Sequence, residues 1–412
     1  MNSLDWLEPL RPLLTELTGH DWAALGQLDA QLDQLAAIGQ VSDPAARAAF
    51  LLEVRRRLAA AGYATLTLPA ALGGTGRPLV LQALAQFVCG WHDLDLRDAT
   101  GLGHGALVLG AAGAAVRDRW LSRLAAGDLV GIAATERHGG SRIQEITTRA
   151  ALAAGGRWLI SGEKVWVSRL AEADGLVVFF RDPDGRISAA IVDAIAAGLS
   201  REPIAPAGLA GWSWGVLRLH QVPIHPSSEL IGAPGTGLSV FREHFARFRP
   251  LVTATVLGTA AGVHTAVAEA LAARVRVGVL PRVRDNALIT LGRTHAGLTA
   301  ALLGTLATVR LGEAGDVRAD LWARIGKAYG VETALAAVDE VVPLVGAAGF
   351  TAASPLAKAR ADIAALQYAD GIHDSLYRSG GKTLLGTSWS PAATVTTLAV
   401  PAGPDTVLPA SA

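Results

Sequence analysis

Between about residues 127 and 235 the spacing of apolar residues changes from helical to strand-like, and beyond 235 it changes back. Upstream, "PAARAAFLLEVRRRLAAAGY" places Phe50, Leu51, Val54, Leu58 and Ala61 at steps of three and four and stops at Gly62. "LVLQALAQFVCGW" and "GALVLGAAGAAVRDRWLSRLAAG" continue that pattern to Gly127. The middle stretch differs. "RWLISGEKVWVSRL", "GLVVFFRDPDGRISAAIVD" and "WGVLRLHQVPI" are short β-branched or aromatic runs cut by Gly, Pro and Asp, and "FFRDPDGRIS" reads as a hairpin. From "GTGLSVFREHF" onward the helices are apolar over long stretches, as members of a bundle are. The expected organisation is mainly α with a small β domain. A helical domain spans 1–126, a β-barrel-like domain 127–235 and a four-helix bundle 236–388, with a Pro-, Ala- and Thr-rich flexible tail over 389–412.

Charge narrows the function classes. Lys plus Arg and Asp plus Glu are each 36, so no global basic field points to nucleic acid or an anionic membrane. A single cysteine, Cys89, excludes a disulfide framework and a Cys-based zinc site within one chain, and the ten histidines form no HExxH. No metal site is expected. The beginning, "MNSLDWLEPLRPLL", lacks the basic and apolar regions of a signal peptide, which together with the lone thiol suggests a cytoplasmic protein. The most membrane-like run, 250–273, holds His264, Glu269 and many small residues, which suits a buried core helix. "GLGHGA" and "LGGTGRP" lack the strand, acid or Lys-Ser/Thr context of nucleotide loops and read as turns, and no GxSxG is present.

Several separated stretches carry more. "LPAALGGTG" precedes "IAATERHGGSR", where Thr135 and Ser141, read alone, are turn residues. "ISGEKVWVSRLAEAD" puts Trp166 and Ser168 two residues apart, on one strand face. "LIGAPGTGLSVFREHFARFRPLVTATVLGTAAG" contains Arg249, and "ARVRVGV" contains Arg274. "PLVGAAGFTAASPLAKARADIAALQYADGIHDSL" runs from Gly346 and Ala347 through Gly349, Phe350, Pro355, Lys358 and Asp362 to Asp370, His373 and Asp374. Taken in order, from about residue 60 to 385, these stretches resemble the acyl-CoA dehydrogenase family of flavoproteins.

The resemblance implies an FAD-dependent oxidoreductase. Thr135 and Ser141 would border the flavin pyrimidine, Trp166 would pack on the isoalloxazine, and Ser168 would bond near its N5. Arg274, Gly346, Ala347 and Asp374 match positions that contact FAD, and Arg274 would reach the pyrophosphate of a neighbouring subunit in a homodimer or homotetramer. The register sets Asp370-Gly371 where the family carries its catalytic Glu-Gly, so Asp370 would take the α-proton of an acyl thioester while the β-hydrogen leaves as hydride to flavin N5. Arg249 matches an arginine near the thioester. The other base position known in the family is Phe248, which cannot serve.

Departures temper the match. Asp370 is one methylene shorter than glutamate, about 1.5 Å of reach. Pro343, Ala347, Ile372 and Asp374 replace family residues near FAD, and Ala210 and Trp212 replace an Arg-x-Ser pattern. Ala246 stands where many members bind pantetheine with an aspartate, which favours an acyl carrier protein over CoA as the carrier, with Arg242, Arg247, Arg276, Arg282 and Arg284 facing an acidic surface. An electron acceptor is a required partner, and such a member suits secondary metabolism. Two other readings stand beside this one: a flavin-dependent monooxygenase acting with reduced flavin and oxygen, and a non-catalytic relative that binds a ligand or subunit.

Overall fold

The computed structural model describes residues 1–36, 43–139, 142–351 and 354–386. The tail expected over 389–412 lies outside them. Six helices come first: α1 Ser3–Leu7, α2 Gly19–Ala36, α3 Pro44–Ala60, α4 Leu79–His92, α5 Gly105–Ala111 and α6 Ala114–Ala125. The helical pattern that closes at Gly127 ends in two helices, because the chain turns through Gly113 in extended conformation between α5 and α6. Eight strands follow: β1 Val130–Ala133, β2 Arg149–Leu152, β3 Trp158–Ser168, β4 Gly175–Arg181, β5 Ile187–Asp193, β6 Leu199–Ile204, β7 Trp214–Ile224 and β8 Leu230–Ile231, with the short helix α7 Pro226–Glu229 before the last. The bundle is α8 Gly237–Arg276, α9 Asp285–Glu313, α10 Ala319–Val341, α11 Pro355–Ala365 and α12 His373–Leu384.

The strands form one sheet in the order β6-β7-β3-β2-β4-β5-β8, with β1 parallel to β4. β4 and β5 are the antiparallel hairpin expected at "FFRDPDGRIS". β3 pairs with β7 through a register shift between Lys164 and Val167, and Trp166 within it takes φ 57°. A bulge of this kind turns a side chain out of the sheet's regular alternation.

Helix α8 is the axis of the molecule. It is long and apolar enough to cross a membrane, yet 78% of its most apolar window is buried inside the protein, as a core helix would be. Glycines bring α4 against it backbone to backbone. A Cβ on Gly90 would lie 1.9 Å from the Thr255 carbonyl oxygen, and one on Gly258 would lie 2.0 Å from that of Phe87. Alanine at either position would force the helices apart. One continuous core thus joins the N-terminal helices to the bundle, while separate clusters fill the two faces of the sheet.

Candidate active site

The loop between α11 and α12 carries Asp370 and Gly371, both with positive φ, 56° and 113°. Aspartate tolerates the left-handed region better than most side chains, and here it is held there from outside. The Arg249 Nε donates to the Asp370 carbonyl at 2.9 Å, and its guanidinium lies over the Phe245 ring at 4.7 Å. Burial pushes Arg249 down to about 10, against the fields of Asp320 and Asp370. From α10, Lys327 donates to the carbonyls of Leu366, Ala369 and Gly371 at 2.6, 2.7 and 3.0 Å. Those three bonds pin the loop on both sides of Asp370.

Lys327 also titrates near neutrality: burial pushes it from 10.5 to about 7, with the Asp370 field opposing. Between those values the unfolded chain holds more protons, so this group makes stability rise with pH there, and its desolvation cost is complete below pH 7. The same proton loss leaves an amine with two N–H groups facing three carbonyls. Lys327→Met, which leaves all three without this donor, is expected to cost about 2 kcal/mol in urea unfolding. It should also raise amide exchange across 366–371.

Arg249 and Asp370, expected to act together, therefore touch, but through the aspartate backbone. The structure also brings together groups that the sequence did not flag. Arg97, in the tight turn Leu94–Asp98, lies in the field of Asp370 and of Arg169, and both are buried. Arg169 Nε donates to Asp98 at 2.7 Å, and its Nη1 donates to the Ser168 hydroxyl. His104 Nδ1 and His244 Nε2 are 2.9 Å apart, and the His244 ring stacks on Phe248 at 5.1 Å. Burial pushes both imidazoles down, His244 to about 3, so the pair is neutral and shares one proton-bearing nitrogen in its contact.

The β side of the site begins at Thr135, half-buried just past β1, whose carbonyl accepts from Val165 N at 2.9 Å. That bond sets the Thr135 loop beside the β3 bulge, where the Trp166 indole is 61% exposed. The neighbouring Glu136 and Lys164 fix the arrangement. They are 4% and 0% exposed, 2.8 Å apart, and Glu136 also accepts from the backbone and hydroxyls of Thr147 and Thr148. Ser168 is buried at the end of the same strand. Ser141 lies outside the described residues.

Farther along the bundle, Arg274 Nη2 donates to the Val345 carbonyl at 2.8 Å. The turn it holds contains Gly346, at φ 68° and ψ −143°, a conformation open to glycine alone, followed by exposed Ala347. Asp374 is exposed in the first turn of α12. His373 Nδ1 sits 2.9 Å from Glu332, which also accepts from Tyr377, so His373 fastens α12 to α10. Trp212, at the altered Arg-x-Ser position, is a core residue whose indole donates to the Asp95 carbonyl. Asp93, Asp95 and Asp362 converge closely enough to hold a cation, and that cation is the Lys358 ammonium, at 2.8, 2.8 and 2.5 Å.

Some of the unflagged residues had a trace in the sequence. "DLDLRD" is charge-dense within an apolar chain, and Lys327 is a lone lysine in an apolar helix. Nothing in the linear pattern joins His104 to His244.

Residues 131–222 match the family model "Acyl-CoA dehydrogenase, middle domain", and residues 235–385 match "Acyl-CoA dehydrogenase, C-terminal domain". Cyclohex-1-ene-1-carbonyl-CoA dehydrogenase of Geobacter metallireducens is 24% identical over 331 residues, covering 77% of this chain and 86% of the relative. Among solved structures, butyryl-CoA dehydrogenase from Megasphaera elsdenii superimposes with a TM-score of 0.81 at 20% identity, over 90% of this chain and 99% of that one. The prolyl acyl carrier protein oxidase AnaB superimposes with a TM-score of 0.75 at 20% identity, over 89% and 99%.

Proposed function

Because the chain belongs to the acyl-CoA dehydrogenase family of FAD-dependent oxidoreductases, we propose that it desaturates an acyl thioester, with Asp370 removing the α-proton. One observation carries this reading: a half-buried aspartate is held in a left-handed turn by Arg249 and Lys327, its charge felt by buried Arg97. A loop fixed from both sides keeps a short base at one position, which matters where about 1 Å can change a rate by a hundredfold.

The chain's own residues fit the cofactor. Trp166 is turned out of the sheet at the β3 bulge and exposed, and Thr135 and buried Ser168 lie on the adjoining backbone. A flat apolar ring bordered by short donors and acceptors is the chemistry an isoalloxazine requires. Gly346 and Ala347 leave an exposed turn without bulky side chains, which suits a dinucleotide tail. When bound, FAD would supply the hydride acceptor. Arg249 orients the base, Lys327 keeps its loop closed, and Arg169 fixes the Ser168 hydroxyl.

Carriage of the acyl group by a carrier protein is the finer part of this proposal. It is supported by Ala246, buried and without a side-chain acceptor, and by exposed Arg242 and Arg247 on the same turns of α8. A further subunit contributing through Arg274, and an external electron acceptor, complete it.

The expected result is a yellow protein whose flavin bleaches without oxygen when an acyl thioester is added, faster on a carrier protein than on CoA. A colourless protein that cannot be reconstituted with FAD overturns the reading. So does oxygen uptake only with externally reduced flavin, the behaviour of the monooxygenase alternative.

A further inference from the structure

Three carboxylates converge on Lys358 of α11. Its ammonium lies 2.8, 2.8 and 2.5 Å from Asp93, Asp95 and Asp362, whose oxygens fall within 4.8 Å of one another. Its hydrogen bonds go to Asp93 Oδ1 and Asp362 Oδ2, while Asp95 Oδ2, buried beside them, accepts none. Arg47 of α3 bonds to Asp93 and stands 3.6 Å from Asp95, and Arg97 stands 3.8 Å from Asp95. Among the described residues Lys358 is the cation paired with Asp362, which shares it with two other acids. Of the other elements packed on α11, α10 brings Asp339, which Arg360 takes at 2.5 Å. No charged residue of α8 pairs with the cluster among the described residues, and Val342–Gly349 carries none.

Three parts of the chain meet at these charges. Asp93 and Asp95 belong to the N-terminal helical region, Lys358 and Asp362 to the bundle, and the uncharged loop 205–213 between β6 and β7 joins them. Leu209 N donates to Asp362 Oδ1 at 2.6 Å, Gly211 N to Asp95 Oδ1 at 3.3 Å, and the Trp212 indole to the Asp95 carbonyl at 2.9 Å. The approach is close. A Cβ on Gly208 would lie 2.3 Å from the Ala361 carbonyl oxygen, and one on Gly211 would lie 2.3 Å from the Asp95 carboxyl carbon. Leu209 is held at φ 58°, a conformation that leucine keeps only where its surroundings impose it. Asp95 and Asp362 are buried, but Lys358 is half-buried, so the cluster has a side open to solvent. Carboxylates crowded in this way repel one another, and one of them is easier to protonate than a free acid. Burial, with the fields of Asp95 and Asp93, pushes Asp362 up to about 6 against the pull of Lys358. Asp93, against the same burial, is held below its ordinary value by Lys358 and Arg47.

We propose that this junction tightens on mild acidification, when Asp362 takes a proton from solvent, instead of loosening as an ordinary salt bridge does. The proton adds to Asp362 Oδ2. Leu209 N–H keeps Oδ1, Lys358 is left to Asp93 and Asp95, and the new O–H faces the cluster in which Asp95 Oδ2 lacks a donor. The sign follows from the direction of the shift. A carboxyl raised on folding adds stability that is complete below 3.8 and is lost as pH rises through about 6. The segment that carries Asp370 leaves α11 one turn beyond Asp362, so the junction holds the root of that segment.

The test is deuterium exchange of the full-length protein, read by mass spectrometry on peptides covering 205–213 and 358–366, with exposure times scaled for the intrinsic effect of pH. Asp362→Asn carries the neutral state at every pH, since its amide oxygen keeps the Leu209 bond and its amide N–H groups face the other carboxylates. Between about pH 5 and about pH 8 the wild-type opening constant of both segments is expected to rise about tenfold relative to that of Asp362→Asn. A ratio that stays flat overturns the proposal. So does a ratio that falls, because Asp362 then behaves as an ordinary ion-pair carboxylate. Asp95→Asn relieves the crowding from the other side and should flatten the wild-type rise, and a rise that survives in it also overturns the proposal. Should Asp362→Asn not fold, the wild type and Asp95→Asn still decide.

Discussion

Asp370→Asn is expected to slow thioester-dependent flavin bleaching by about a thousandfold or more, the scale on which a positioned base contributes. Asparagine is nearly isosteric and accepts the left-handed region as readily as aspartate. The anchors of the loop are also backbone contacts: Arg249 binds the carbonyl of residue 370, and Lys327 binds those of residues 366, 369 and 371. The substitution therefore removes the basic oxygen and little else, and FAD content and melting temperature should not move. Asp370→Glu asks a different question. It adds about 1.5 Å of reach but places a longer side chain at φ 56°. It should retain at least tenfold more activity than the asparagine variant. Stopped-flow bleaching without oxygen measures both, and a wild-type rate in Asp370→Asn would remove the assignment of the base.

The largest expected loss of stability comes from Lys164→Met. It strands Glu136, a carboxylate 4% exposed, and breaking a buried pair from one side costs about 3–5 kcal/mol. The pH dependence follows from the same pair. Lys164 and the Thr148 hydroxyl, against the cost of burial, bring Glu136 from 4.5 to about 2, so its contribution is present above pH 4.5 and is lost as pH falls toward 2. Burial brings Lys164 from 10.5 to about 8, so that group makes stability rise with pH between those values. Urea unfolding at several pH values should show both arms in the wild type. In Lys164→Met the acid arm shrinks and the alkaline arm disappears. Adding Glu136→Gln should recover part of the loss, since a neutral amide still bonds the threonines.

The order of helices, strands and helices was legible because each element's apolar spacing is a local property of the sequence. Trp166, Ser168 and Thr135 were singled out on short motifs, and the structure joins those motifs through the bond from Val165 to the Thr135 carbonyl. What escaped were pairings across long separations. His104 meets His244 from 140 residues away, Arg169 meets Asp98 from 71, and Lys327 reaches its loop from 39 to 44. Periodicity says that such residues sit on helices or turns, not which partners burial will force on them. The twist of Asp370 into the left-handed region is likewise set from outside, by arginine and lysine on two other helices. The glycine beside it marked a turn and no more.

Helix α8 holds Arg249 near its start and Arg274 near its end, each clasping a backbone carbonyl of a different C-terminal segment, Asp370 in one case and Val345 in the other. At about 1.5 Å and 100° per residue, the two side chains emerge about 37 Å apart along the axis and within about 20° in azimuth. The helix is a common backing with two clasps. The segment bearing Asp370 and the segment bearing the glycine turn are fastened to the same helix. Their separation is therefore set by the length of α8 between the two arginines.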